Sequence, residues 1–285
     1  MRYHLLAYIE KQFDVPGAGL FQYLSFRSVA AIIIALLIGM IFGKKIINVL
    51  TRKQIGEDIR NLGLQGQMEK KGTPTMGGLI ILGSLMIPVL LVCDLGNIYV
   101  QLMIFATVWL GILGFADDYI KVFRKHKEGL KGKFKVIGQV GLGIIVGTVM
   151  CFSQQIVVVE KIERADNAVE MVDESGHTRI ILEDGEAKVI DGENVTMTPD
   201  GKYILNREKN TTTTIPFIKD NEFDYHWLFP TEKPWGDIAT WIFYILMDIH
   251  IITWISSTPN LTDGLDALSG GVSAIVVVVL GVFAY

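Results

Sequence analysis

The chain has 285 residues, half of them apolar and 20% charged, with a mean hydropathy of +0.39, which excludes an ordinary soluble domain. Its 26 Lys and Arg against 30 Asp and Glu leave a net charge of −4, which argues against a nucleic-acid partner. Cys93 and Cys151 lie near the ends of apolar runs and read as small apolar fillers, with no disulfide scaffold or CxxC metal site.

The opening stretch to Phe26 lacks the basic, apolar and small-residue order of a secretory signal, so the chain is expected to begin mature. A first membrane segment centres on uncharged Ser28–Gly43 and reaches spanning length with Phe21–Phe26 and a snorkelling Arg27. Gly72–Cys93 and Leu95–Ala116 each hold 22 consecutive uncharged residues, separated by Asp94, and each is long enough to cross a hydrocarbon core of about 30 Å. Val136–Val159 is a fourth span, with Gly138, Gly141, Gly143 and Gly147 spaced for close helix contact. A fifth covers Ile238–Ser256, and a sixth starts near Leu265. The expected fold class is therefore an all-α polytopic membrane protein with about six transmembrane helices.

The connections orient these spans. Residues 44–71 and 118–135 each carry seven Lys and Arg, which marks both as cytoplasmic, whereas residues 153–235 hold 9 basic against 17 acidic residues and fall outside. Within that acidic segment, Ile156–Val159, Thr178–Leu182, Ala187–Ile190 and Tyr203–Leu205 are short β-prone pieces with Asp-Gly turn signals between them, as expected of a small extracytoplasmic antiparallel insert. Nothing in it clusters ligands or nucleophiles, and it reads as a tolerated solvent loop. The expected organisation is helices 1–4 over 1–152, the insert over 153–235 and helices 5–6 over 236–285.

Three polar strings sit at one predicted membrane face. Gly114–Lys121 ends the third span, and on a helix Asp117 and Lys121 share a face with Asp118 beside it. Adjacent carboxylates at a membrane boundary repel, so a divalent cation or a cationic substrate group is expected to neutralise them. Lys70–Gly78 opens the second span, where the lysines and Thr75 offer donors to an anion and the glycine pair offers close approach. Asn260–Asp266 opens the sixth, where Thr262 or Asp263 can cap a helix and Asp266 adds a second acid one turn on. Four carboxylates and several lysines at one interface point to metal-assisted chemistry on phosphates, one substrate being a lipid. Asp248 and His250 fall inside the fifth span, where a charge is costly, and read as a proton relay or a local shift of the helix.

The strings GTPTMGG, GFADDYIKV with GLKGKFKVIGQ, and NLTDGLD resemble those of the phospho-N-acetylmuramoyl-pentapeptide transferases, within the polyprenyl-phosphate N-acetylhexosamine-1-phosphate transferase superfamily. The resemblance covers all but residues 153–210 and implies a ten-helix inner-membrane enzyme that transfers phospho-MurNAc-pentapeptide from UDP to undecaprenyl phosphate, giving lipid I and UMP with Mg²⁺. It implies catalytic roles for Asp117, Asp118, Lys121 and Lys133, with Asp117 the base on the lipid phosphate. Lys70, Thr75, Asn260 and Asp263 become substrate-binding residues, and Asp117, Asp118 and Asp266 metal ligands. A homodimer is a further expectation. With six of ten helices and without the family's later motifs, the chain is expected to insert without turning over. A sibling transferase for teichoic acid or O-antigen shares the acidic pair, and a transporter built of the same helices is the non-enzymatic reading.

Overall fold

The computed structural model describes residues 18–52, 76–124, 129–163, 171–172, 177–181, 187–191, 195–197, 203–209, 211–214, 222–229, 234–262 and 268–284. A short 3-10 turn, Ala18–Gln22, leads into α1 (Leu24–Arg52), followed by α2 (Gly78–Val92), α3 (Ile98–Phe123) and α4 (Gly132–Phe152). Among the described residues eight short strands follow, then α5 (Pro234–Thr262) and α6 (Leu268–Ala284). α1, α3, α4 and Trp235–Thr258 of α5 are long and apolar enough to cross a membrane, while α2 and α6 are shorter apolar helices. The chain divides into one unit of Met1–Val146 with Met247–Tyr285 and a second of Gly147–Leu246.

In the first unit, small residues let the helices approach. Gly39 and Gly43 of α1 face Ser84 and Ile80 of α2, and a Cβ on Gly111 of α3 would lie 2.8 Å from Leu82. A Cβ on Gly138 of α4 would lie 2.6 Å from Leu113, and one on Gly143 only 2.7 Å from the Ile249 Cα of α5. Between helices in lipid there is little hydrophobic drive, so close contact and side-chain hydrogen bonds do the joining. Trp109 Nε1 accordingly donates to the Gly138 carbonyl at 2.9 Å. The outward Ile32, Leu36 and Met40 of α1 remain exposed, as expected of a face turned to lipid.

The sequence placed the second span over Gly72–Cys93, but α2 has 15 residues, about 22 Å of helix. Met76 ahead of it adopts φ 70°, a left-handed conformation in which helix cannot continue. Met76 is nevertheless buried with Leu50 of α1, and Ile46 and Val122 pack on the pair. That burial offsets the backbone strain of about 1–2 kcal/mol. The glycines that follow, read as points of close approach, do not act so among the described residues: a Cβ on Gly77 or Gly78 would meet nothing within 4 Å. At the other end of α2 the chain reverses through Asp94, which accepts from the Gly96 N–H at 3.0 Å, and Asn97 caps α3 by accepting from the Tyr99 N–H at 2.8 Å.

Among its described residues the second unit contains the expected β insert as three small antiparallel sheets. β1 (Val158–Glu163) and β5 (Val195–Met197) flank β6 (Tyr203–Glu208), β3 (His177–Ile181) lies between β2 (Met171–Val172) and β4 (Ala187–Asp191), and β7 (Thr212–Thr214) pairs with β8 (Glu222–Asp224). The fourth span was read to Val159, but α4 ends at Phe152 and β-branched Val158 and Val159 begin a strand. After β8, Asp224 caps a 3-10 turn by accepting from the His226 N–H at 2.9 Å. The buried Tyr225 packs its ring 5.8 Å from Phe243 and 5.6 Å from Tyr244 of α5.

Candidate active site

Asp117 lies in the penultimate turn of α3 and is only 8% exposed. Its Oδ2 pairs with Lys121 Nζ at 3.0 Å, the same-face partner expected from i,i+4 spacing. Its Oδ1 pairs with Lys135 Nζ of α4 at 3.0 Å and accepts from the Leu130 backbone N–H at 2.7 Å. Two ammonium groups and a backbone donor therefore fix one carboxylate, an arrangement of charge-assisted bonds stronger than neutral ones.

Gly129 builds the last of these contacts. It adopts φ +66°, and a Cβ there would collide with Asp117 Oδ1 and lie 2.7 Å from Lys121 Cε. Only glycine takes that conformation without strain and without displacing the carboxylate. The turn carries the Leu130 N–H onto Asp117 two residues before α4 begins.

The sequence left Asp117 and Asp118 to be neutralised by a metal or a substrate cation. For Asp117 the chain supplies the cations itself, through Lys121 and Lys135. Lys135 was missed as a site residue, although GKFK places it two residues beyond Lys133. On a helix those two lysines point about 200° apart, and Lys133, in the first turn of α4, is exposed. Asp118 is half-buried and engaged by a neighbour. Lys70, Thr75, Asp263 and Asp266 lie outside the described residues. Asn260 was placed at the start of the sixth span, but α5 runs on through Pro259 to Thr262, so Asn260 is in the last turn of the fifth.

Beside Asp117 and Lys135 is a cavity of about 440 Å³, walled by Leu110, Leu113 and Val136 and by Gln139, Ser256 and Ser257. Deeper in α5, a buried Asp248 oxygen has no hydrogen-bond partner among the described residues, while the His250 ring packs 5.6 Å from Trp254. Two residues apart on a helix, Asp248 and His250 face different ways.

No group of three or more His, Cys, Asp or Glu able to hold a metal occurs among the described residues. Both oxygens of Asp117 are already engaged, and a cation at that carboxylate would compete with two lysines for its charge.

Residues 70–82, running through Met76 into α2, match the phospho-N-acetylmuramoyl-pentapeptide-transferase signature 1. The chain is 48% identical over its whole length to the phospho-N-acetylmuramoyl-pentapeptide-transferase of Parabacteroides distasonis, covering 61% of that protein. It is 48% identical to that of Flavobacterium psychrophilum, covering 64%, and 47% identical to that of Porphyromonas gingivalis, covering 61%. The similarity to these transferases extends along the whole of this chain. It spans about three-fifths of the length of these curated relatives.

Proposed function

We propose that the protein transfers phospho-MurNAc-pentapeptide from UDP to undecaprenyl phosphate, forming lipid I and UMP for peptidoglycan synthesis. The observation that carries the reading is Asp117 held between Lys121 and Lys135 in a chain homologous throughout to transferases of that name. A phosphate monoester loses its last proton near neutrality. Asp117 takes that proton from the lipid phosphate, which neutralises the carboxylate and frees both ammonium groups to pair with the new dianion. The dianion attacks the β-phosphorus of the UDP-sugar, the bond between the two phosphates breaks, and UMP leaves with the bond's electrons. Lys121 and Lys135 stay near the oxygens where charge accumulates, so they stabilise the transition state more than the ground state.

Asp118 and Lys133 are further proposed catalytic residues, and Lys70, Thr75, Asn260 and Asp263 the proposed substrate contacts. Mg²⁺, with Asp117, Asp118 and Asp266 as its proposed ligands, would neutralise pyrophosphate charge when bound. Among the described residues no third His, Cys, Asp or Glu joins Asp117 and Asp118 to complete a site for the ion.

The test is Mg²⁺-dependent UMP release by the chain joined to the part of the Parabacteroides distasonis relative that it does not span, in the presence of undecaprenyl phosphate and UDP-MurNAc-pentapeptide. Asp117→Asn should lower it on the order of 10³-fold while the protein inserts normally, and near-normal turnover would refute the role. Acceptance of UDP-N-acetylhexosamine in place of the muramoyl donor would favour the sibling transferase.

We further place the protein in the bacterial inner membrane, its site on the cytoplasmic face and residues 153–235 outside, on the charge asymmetry of the loops. A Cys at Asp184 should be labelled by an impermeant thiol reagent in intact cells and a Cys at Lys127 spared; the opposite pattern would invert the topology.

A further inference from the structure

The cavity beside Asp117 contains polar groups that the proposed reaction has not yet used. Gln139 follows Lys135 by four residues on α4, so the two side chains lie on one face about 6 Å apart at Cβ, and both line the cavity. Ser257 Oγ of α5 donates to Gln139 Oε1 at 3.2 Å. With its oxygen turned to Ser257, the amide leaves its NH₂ group with two hydrogens to place. Among the described residues nothing else accepts from it.

The cavity therefore presents an ammonium and an amide donor pair along one edge, with Leu110, Leu113 and Val136 as apolar wall. A phosphoryl group offers at least two acceptor oxygens, and one bound there could accept from both Lys135 and Gln139. The apolar wall suits the hydrocarbon of a lipid phosphate better than the ribose and uracil of a nucleotide.

Resting on the transferase reading above, we propose that Gln139, oriented by Ser257, is a binding residue for the phosphate of the lipid substrate. Ser257 is its positioning residue.

Gln139→Glu tests this directly, because the carboxylate still accepts from Ser257 but replaces two donors with a charge that repels phosphate. Binding of farnesyl phosphate, a short polyprenyl monophosphate, to the purified chain in detergent should weaken by about tenfold or more. Ser257→Ala keeps the amide and should weaken it less than about threefold. Binding of UDP-N-acetylglucosamine should stay within about twofold in both variants. Gln139→Met preserves volume without charge and should give a smaller loss in the same direction, so it serves if the carboxylate disturbs insertion. Unchanged farnesyl phosphate binding in Gln139→Glu and Gln139→Met overturns the proposal. Equal weakening by Gln139→Glu and Ser257→Ala also overturns it, reducing Gln139 to a clasp between helices. Weakening of the UDP-sugar as large as that of the lipid phosphate would overturn the lipid assignment. Failure to release UMP by the chain joined to the part of a relative that it does not span would sink the transferase reading instead, and leaves this binding measurement standing.

Discussion

Between helices of the first unit, contacts are made by side chains: Trp109 donates to the Gly138 carbonyl, Ser257 donates to Gln139, and Asp117 of α3 pairs with Lys135 of α4. In the second unit, strands pair backbone to backbone, β1 with β6 in six-residue register and β3 with β4 in five. A ladder tolerates most side chains, since its bonds belong to groups that every residue but proline carries. A contact between helices in lipid depends on the particular residue on each side. Chemistry that needs a fixed charge should therefore sit in the first unit, and sensitivity to single substitutions should concentrate there.

The sharpest test of that contrast is Gly129→Ala. An added methyl group both strains a backbone at φ +66° and collides with Asp117 Oδ1. The backbone cost is about 1–2 kcal/mol. The displacement of the carboxylate should lower UMP release on the order of 10²-fold, because small misplacements at a reacting centre are expensive. Turnover within twofold of wild type would mean that the Gly129 turn does not position the acid. Next in size is the difference between two neighbouring lysines. Lys135→Met removes a partner of Asp117, whereas Lys133→Met removes an exposed ammonium at the start of α4. The first should slow turnover about tenfold more than the second. Equal effects would show that the Lys135 pairing does not set the activity of Asp117.

These residues also mark how far the sequence could be read. The apolar runs showed the helices because membrane spans leave a long compositional trace, and Asp117 with Lys121 was visible because helical periodicity alone brings them together. Lys135 and Gly129 were hidden for a different reason. Their contacts with Asp117 depend on how the chain turns between α3 and α4, and nothing local in GLKGKFK distinguishes Lys135 from Lys133. Met76 was hidden because a left-handed backbone is expected at glycine, and two glycines follow it in the same string. Gln139 stood in the open as part of GLKGKFKVIGQ, but its neighbour Ser257 lies 118 positions away. The strands were visible in outline, since β-branched alternation bounded by Asp-Gly marks them, although their division among three sheets depends on pairings that residue order does not specify.

The smallest expected effect lies in the second unit, and it tests the contrast from the other side. Thr211 is fully buried, and its Oγ1 lies 2.9 Å from His226 Nδ1. Thr211→Val keeps the shape and removes the hydroxyl. The backbone contact survives, because the Tyr225 N–H donates to the Thr211 carbonyl at 3.2 Å, and His226 Nδ1 keeps Asp224 Oδ1 at 3.0 Å. With its partner still satisfied, the lost hydroxyl should cost only about 1 kcal/mol. That cost should appear locally, as faster amide exchange around residues 211–214 and 222–229. UMP release should remain within about twofold, since Asp117 is held by residues of the first unit alone. A tenfold fall in turnover with unchanged exchange would break the contrast, because the hydroxyl would then influence the chemistry without altering the stability of its own surroundings.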